Sequence, residues 1–139
     1  MKLLMRRVTT KKTVNEVIQI LKSCAYDSGK VGVENSQYSM YCSTRRNGEY
    51  LSLVHVAGGI YSSGASTLVE LDVYADYIFF LGLAIVLLGT TAFICSLVLS
   101  PARWYVYLGL ILLGLFPIVQ TLCRDLELLD IIEHKLTRI

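Results

Sequence analysis

No run of five or six like charges occurs anywhere in the 139 residues, and 13 Lys and Arg against 11 Asp and Glu leave a formal net charge of only +2. That excludes an acidic or basic tail and argues against a nucleic-acid partner, which calls for a basic patch or stripe. There is no CxxC pair either. Cys24, Cys42, Cys95 and Cys123 stand apart, so they form no disulfide framework and read as four reduced thiols. A bridge between Cys24 and Cys42 would require their domain to face an oxidising compartment. The opening MKLLMRR holds too short an apolar stretch for a secretory signal, whose apolar region needs about 7–15 residues. A glycine-rich phosphate loop is absent, since Gly58, Gly59 and Gly64 are sparse and follow strands into hairpins.

What the chain has in excess is apolar side chains, 54% of the total, with a mean hydropathy of +0.54. They concentrate between Tyr77 and Leu122. Residues 78–99 (IFFLGLAIVLLGTTAFICSLVL) and 104–123 (WYVYLGLILLGLFPIVQTLC) contain no Asp, Glu, Lys, Arg or His. About 20 helical residues cross a hydrocarbon core of about 30 Å, so each run predicts a transmembrane helix. Only Ser100, Pro101, Ala102 and Arg103 separate them. Pro101 cannot continue the first helix without strain, so the chain turns back as a hairpin over residues 77–123. Tyr74, Tyr77, Trp104, Tyr105 and Tyr107 sit at span ends, where aromatic rings with a polar edge favour the headgroup layer. Gly82 and Gly89, seven apart, share one face and predict close packing with the helix of Gly109 and Gly114. Thr90, Thr91 and Ser96 are expected to bond back to their own helix, and Pro117 to kink the second. The lack of ionisable side chains other than Cys95, a weak acid, argues against an ion path or proton relay. Nine Lys and Arg precede the first span, three follow the second and only Arg103 lies between, which predicts both termini in the cytoplasm.

Residues 1–76 predict a soluble α+β domain. Thr13 to Cys24 places apolar residues at 14, 17, 18, 20 and 21, a helix with one buried face, with Thr13 and Glu16 spaced as a capping box. From residue 30 to 73 the period shifts to two. Val31 and Val33 alternate with polar neighbours, as do Tyr38, Met40 and Cys42. Asn47-Gly48 is a strong hairpin-turn signal, Gly58-Gly59 permits a bulge or bend, and residues 62–66 (SSGAS) form another loop. This is an N-terminal helix followed by an antiparallel β-meander of four or five short strands. With almost no linker at residues 74–76, the sheet is expected at the bilayer surface. Residues 124–139 predict a separate amphipathic helix, with Leu128, Leu129, Ile132, Leu136 and Ile139 on one side. Its acidic residues suit anionic lipid poorly, so docking on the sheet is favoured.

Candidates for chemistry are few. His55 lies near Cys42 if the Asn47-Gly48 hairpin pairs in register, and a Cys–His pair is one route to a nucleophile. No third group is placed to orient the histidine, so a sheet histidine and a buried thiol are the expectation. His134 has only Asp130 at helical spacing and should face solvent. Arg45-Arg46 reads as a solvated loop tip. No catalytic, cofactor-binding or metal-binding residue is assigned.

The run GKVGVENSQYSMYCS, a polar turn, then GGIYSSGASTLVELDV leading into two apolar spans resembles a group of uncharacterised small bacterial membrane proteins with an N-terminal α+β domain and a transmembrane hairpin. It covers about residues 29 to 125, with Gly59 before the strand hairpin and Thr67 in the last strand. The resemblance implies architecture and a bacterial plasma (inner) membrane, and carries no activity or catalytic residue. The expected function is a non-enzymatic, membrane-anchored interaction module that meets the lipid bilayer and a protein partner or a second copy. The alternative is an accessory subunit of a transporter or channel, or a self-assembling element. A thiol-dependent enzyme ranks third.

Overall fold

A strand, not a helix, comes first. The computed structural model describes residues 1–46 and 49–138, apart from the side chains of 44–52. Among these, the order is β1 (Lys2–Thr10), α1 (Val14–Cys24), β2 (Gly32–Glu34), β3 (Gln37–Arg46), β4 (Glu49–Ser63), β5 (Ser66–Tyr74), α2 (Tyr77–Leu99) and α3 (Trp104–Thr137), with 3-10 turns at Ser28–Lys30 and Pro101–Arg103. The fold is α+β, with one antiparallel five-stranded sheet in the order β1-β5-β4-β3-β2. Strands β2 to β5 form the expected meander, and β1 joins it beside β5 with Val8 opposite Val69 and Thr10 opposite Thr67. Asn47 and Gly48, where the sequence predicts a hairpin turn, the side chains of Arg45 and Arg46, and Ile139 lie outside the described residues.

The β1 segment carries little strand pattern because two of its core-side residues are polar. Arg6 ion-pairs with Asp130 and, at 2.8 Å, with Glu133 of α3. Thr10 Oγ1 donates to the Leu136 carbonyl at 2.7 Å. The turns follow local chemistry. Asn35 and Ser36 both have positive φ, the geometry of a two-residue turn whose twist matches the flanking strands. Gly64 (φ +61°) turns β4 into β5, pairing Ser63 with Ser66. Strand β4 runs unbroken through Gly58-Gly59, where the sequence permits a bulge or bend. Its ladder to β5 nevertheless skips from Ala57–Asp72 to Ile60–Val69. A Cβ at Gly58 would lie 2.0 Å from the Glu70 carbonyl oxygen, and Tyr38 Oη donates to that oxygen at 2.6 Å. Gly58 therefore leaves room for a carbonyl that Tyr38, not the ladder, satisfies.

The chain divides into two compact units, one of Met1–Ala75 with Arg124–Ile139 and one of Asp76–Cys123. In the first, the sheet buries one face. Val8, Val54, Val56, Val69, Leu71 and Val73 meet Val17 and Leu21 of α1 and Leu129, Ile132 and Leu136 of α3. The capping box of α1 forms, with Thr13 N–H donating to Glu16 Oε2 at 2.8 Å. The C-terminal helix docks on the sheet, and its last turn is held from the strand side. Besides the Thr10 bond, Lys12 Nζ donates to the Arg138 carbonyl at 2.5 Å, so carbonyls that a helix end leaves orphaned find donors. This helix is not a separate element. It continues from the second apolar run without a break, because nothing in the RDLELL sequence interrupts a helix.

In the second unit, α2 and the first part of α3 are both long and apolar enough to cross a membrane. At 1.5 Å per residue, the 23 residues of α2 extend about 34 Å. Gly82 and Gly114 face each other so closely that a Cβ on either would sit 2.9 Å from the other's carbonyl oxygen. Gly89 packs on Ile111, and Gly109 faces open space. Thr90, Thr91 and Ser96 donate to the carbonyls of Val86, Leu87 and Phe93, so their hydroxyls are satisfied within α2. The outward surface is apolar, with Leu87, Leu88, Ile94, Leu112, Leu113 and Phe116 exposed.

Adjacent residues of α3 give a direct check on the docking. Ile132 is fully buried and Ile131 is half exposed. Ile132→Ala should cost about 2–5 kcal/mol, while Ile131→Ala should change stability by under about 0.5 kcal/mol. Urea midpoints of the two purified variants against the parent chain measure the difference.

Candidate functional site

Pairing between β3 and β4 decides which side chains meet. At one end of the ladder, Arg46 opposes Glu49. A register shift between Thr44 and Arg45 then changes the partners, so that Cys42 opposes Val54 and Tyr41 opposes His55. Without the shift, Cys42 would oppose Leu53 and share a face with His55. A one-residue slip reverses faces, and here it separates the pair. Cys42 is fully buried in the helix-covered core, where burial, with Cys24 nearby, pushes its thiol up to about 12. A thiol so rarely ionised is a poor nucleophile. His55 lies on the other face.

That second face is a hollow of about 890 Å³. Its floor is one row across four strands, Gly32, Ser39, Ala57 and Asp72, each paired with the next. Three of these have little or no side chain, which makes the row low. On one side stands an aromatic row, with His55 4.9 Å from the Tyr41 ring and 5.0 Å from that of Tyr74. On the other side lie Glu34, Gln37 and Glu70, with the Tyr61 ring lying back over Gly59. Ser39 Oγ and His55 Nε2 share a hydrogen bond at 2.7 Å. Partial burial holds His55 below the ordinary imidazole range.

Asp72 carries the sharpest feature of the hollow. Only 5% of it is exposed. Lys2 Nζ sits 2.5 Å from its Oδ2, and that contact, first by hydrogen bonding, raises the Lys2 ammonium above its usual range. The other carboxylate oxygen, Oδ1, is buried with no hydrogen-bond partner among the described residues. Glu70 pairs across the strands with Arg7 at 3.1 Å.

The remaining candidates scatter. His134 is exposed, and among the described residues no three His, Cys, Asp or Glu side chains gather as a metal site would need. Gly59 lies beneath Tyr61. Thr67 is buried and donates to the Lys12 carbonyl at 2.7 Å, a structural role. Of the residues that shape the hollow, the sequence singled out His55, Gly59 and Tyr74, each for another reason, and not Asp72, Ser39 or Ala57. The one signal that pointed to them was alternation in β5, where Val69, Leu71 and Val73 face the core and Glu70, Asp72 and Tyr74 the opposite side.

Because His55 is harder to protonate when folded, the unfolded chain binds its proton more readily. Stability should therefore fall as pH drops below the unfolded value of about 6.5, and the loss should level off below the folded midpoint. An NMR titration should place the His55 midpoint below about 6.5, and His55→Gln should remove that component of the acid sensitivity in urea unfolding.

Comparison with protein-family models, with curated proteins and with solved structures gives no match to the chain, so its function must be argued from the geometry of the sheet and the hairpin alone.

Proposed function

We propose that the chain is a membrane-anchored, non-enzymatic interaction module. The hairpin of α2 and the first part of α3 anchors it in a bacterial plasma membrane, and the α+β domain binds a partner on the cytoplasmic side. The observation that carries this reading is the asymmetry of the sheet. One face is sealed by α1 and the end of α3, while the opposite face stays open as a shaped polar and aromatic hollow. Sites of this kind commonly serve recognition. The apolar outward surface of the hairpin supports the anchoring, since soluble proteins rarely leave large contiguous apolar patches exposed. The separation of Cys42 from His55 weighs against thiol chemistry.

Connectivity supports placing both flanks of the hairpin on one side of the membrane, independently of charge. The domain is built from both flanks of the hairpin, which supports an even number of crossings. Ala102→Cys, in the interhelical turn, should therefore label only from the face opposite to Ser28→Cys, each in a background whose native cysteines are replaced by alanine. Impermeant maleimide on sealed vesicles of known sidedness reads this. Labelling of both from one side would remove the spanning hairpin.

Function itself is tested by purifying the tagged chain from alkali-washed membranes in mild detergent. A distinct protein recovered in fixed ratio is the expected result. Recovery of the chain alone as a defined oligomer would instead favour a self-assembling element.

A further inference from the structure

We propose that the hollow on the open sheet face binds a small organic cation carrying a primary ammonium or guanidinium group. The proposal goes beyond the anchoring and partner-binding reading and stands on the geometry of the hollow by itself.

Asp72 Oδ1 is the starting point. A buried carboxylate oxygen without a donor is costly, because the lost hydration is not replaced. Lys2 satisfies only the other oxygen. A ligand that brings an N–H donor completes the carboxylate. A charged donor does so best, since charge-assisted hydrogen bonds are about twice as strong as neutral ones. The lining charges agree in sign. Glu34, Glu70 and Asp72 stand against Lys2 alone. Arg7 offsets Glu70 from outside the hollow and still leaves the balance negative. Anionic ligands are disfavoured by the same count.

The shape sets the size. A volume of about 890 Å³ falls within the range of small-molecule sites, about 300–1,000 Å³. Asp72 lines the hollow beside the low floor of Ser39 and Ala57, and Tyr74 and Tyr61 border it. Aromatic faces add attraction for a cation within about 6 Å of a ring. An ammonium at Asp72 with an alkyl body lying along the floor would use all of these features at once.

The test is calorimetric titration of the full chain in lipid nanodiscs. Agmatine, putrescine and spermidine are the probes, with butyrate as anionic control and butanol as neutral control. Saturable binding of at least one cation and of neither control is expected. Asp72→Asn should weaken it by about tenfold or more, equivalent to about 1.4 kcal/mol, with the thermal midpoint checked in parallel. Ala57→Leu, which fills the floor and leaves the Lys2–Asp72 pair in place, should weaken it too, and decides the matter if Asp72→Asn does not fold. Absence of saturable cation binding by the folded parent chain would overturn the proposal. So would unchanged affinity in the folded variants, or binding of a lysine-containing peptide where the free amines fail. The titration reads a small cation and the purification reads a protein partner, so either can fail without the other.

Discussion

The rest of the molecule depends on a helix that closes the core of a domain begun before the hairpin. Leu129, Ile132 and Leu136 of α3 cover the sheet alongside Val17 and Leu21 of α1. A fully buried Leu or Ile contributes about 1.5–3 kcal/mol, so the late helix supplies a large share of the stabilisation that holds the sheet together. The strand-side bonds to its last turn, from Thr10 and Lys12, add direction to that contact. A discontinuous domain of this kind requires the intervening segment to return to where it left. The short turn at residues 100–103 and the close approach of Gly82 to Gly114 meet that requirement.

A second constraint is register. The shift between Thr44 and Arg45 decides that Cys42 is sealed in the core and that His55 joins Tyr41 and Tyr74 on the open face. The same pairing aligns Gly32, Ser39, Ala57 and Asp72 in one row. Because side chains alternate across a sheet, one irregularity changes the composition of both faces. The hollow is thus a product of strand alignment, and no local motif encodes it.

These constraints explain what was legible in the sequence. The apolar spans were visible because charge is missing from them. The capping box of α1 was visible because Thr13 and Glu16 have a fixed spacing, and the docking face of the last helix because Leu128, Leu129, Ile132 and Leu136 recur at helical intervals. Strand β1 was not visible. Arg6 and Thr10, on its core side, satisfy themselves with charges and carbonyls of a helix more than a hundred residues away, which breaks the apolar alternation. The continuity of α3 past Cys123 was missed because the composition changes at Arg124 while helix propensity does not. The hollow was missed because its floor is made of small residues from four strands, brought together only by register.

The split of the domain also sets an order of events during synthesis. Residues 1–75 emerge first and contain all five strands and α1, but not the helix that covers much of the sheet. Translation at about 5–20 residues per second leaves that apolar face incompletely covered for several seconds while the two long helices are made. During this interval the half-built domain presents the kind of exposed apolar surface that chaperones recognise. Completion of the globular part therefore waits on synthesis of the hairpin, and a chain stalled between the two helices is left with that sheet face incompletely covered.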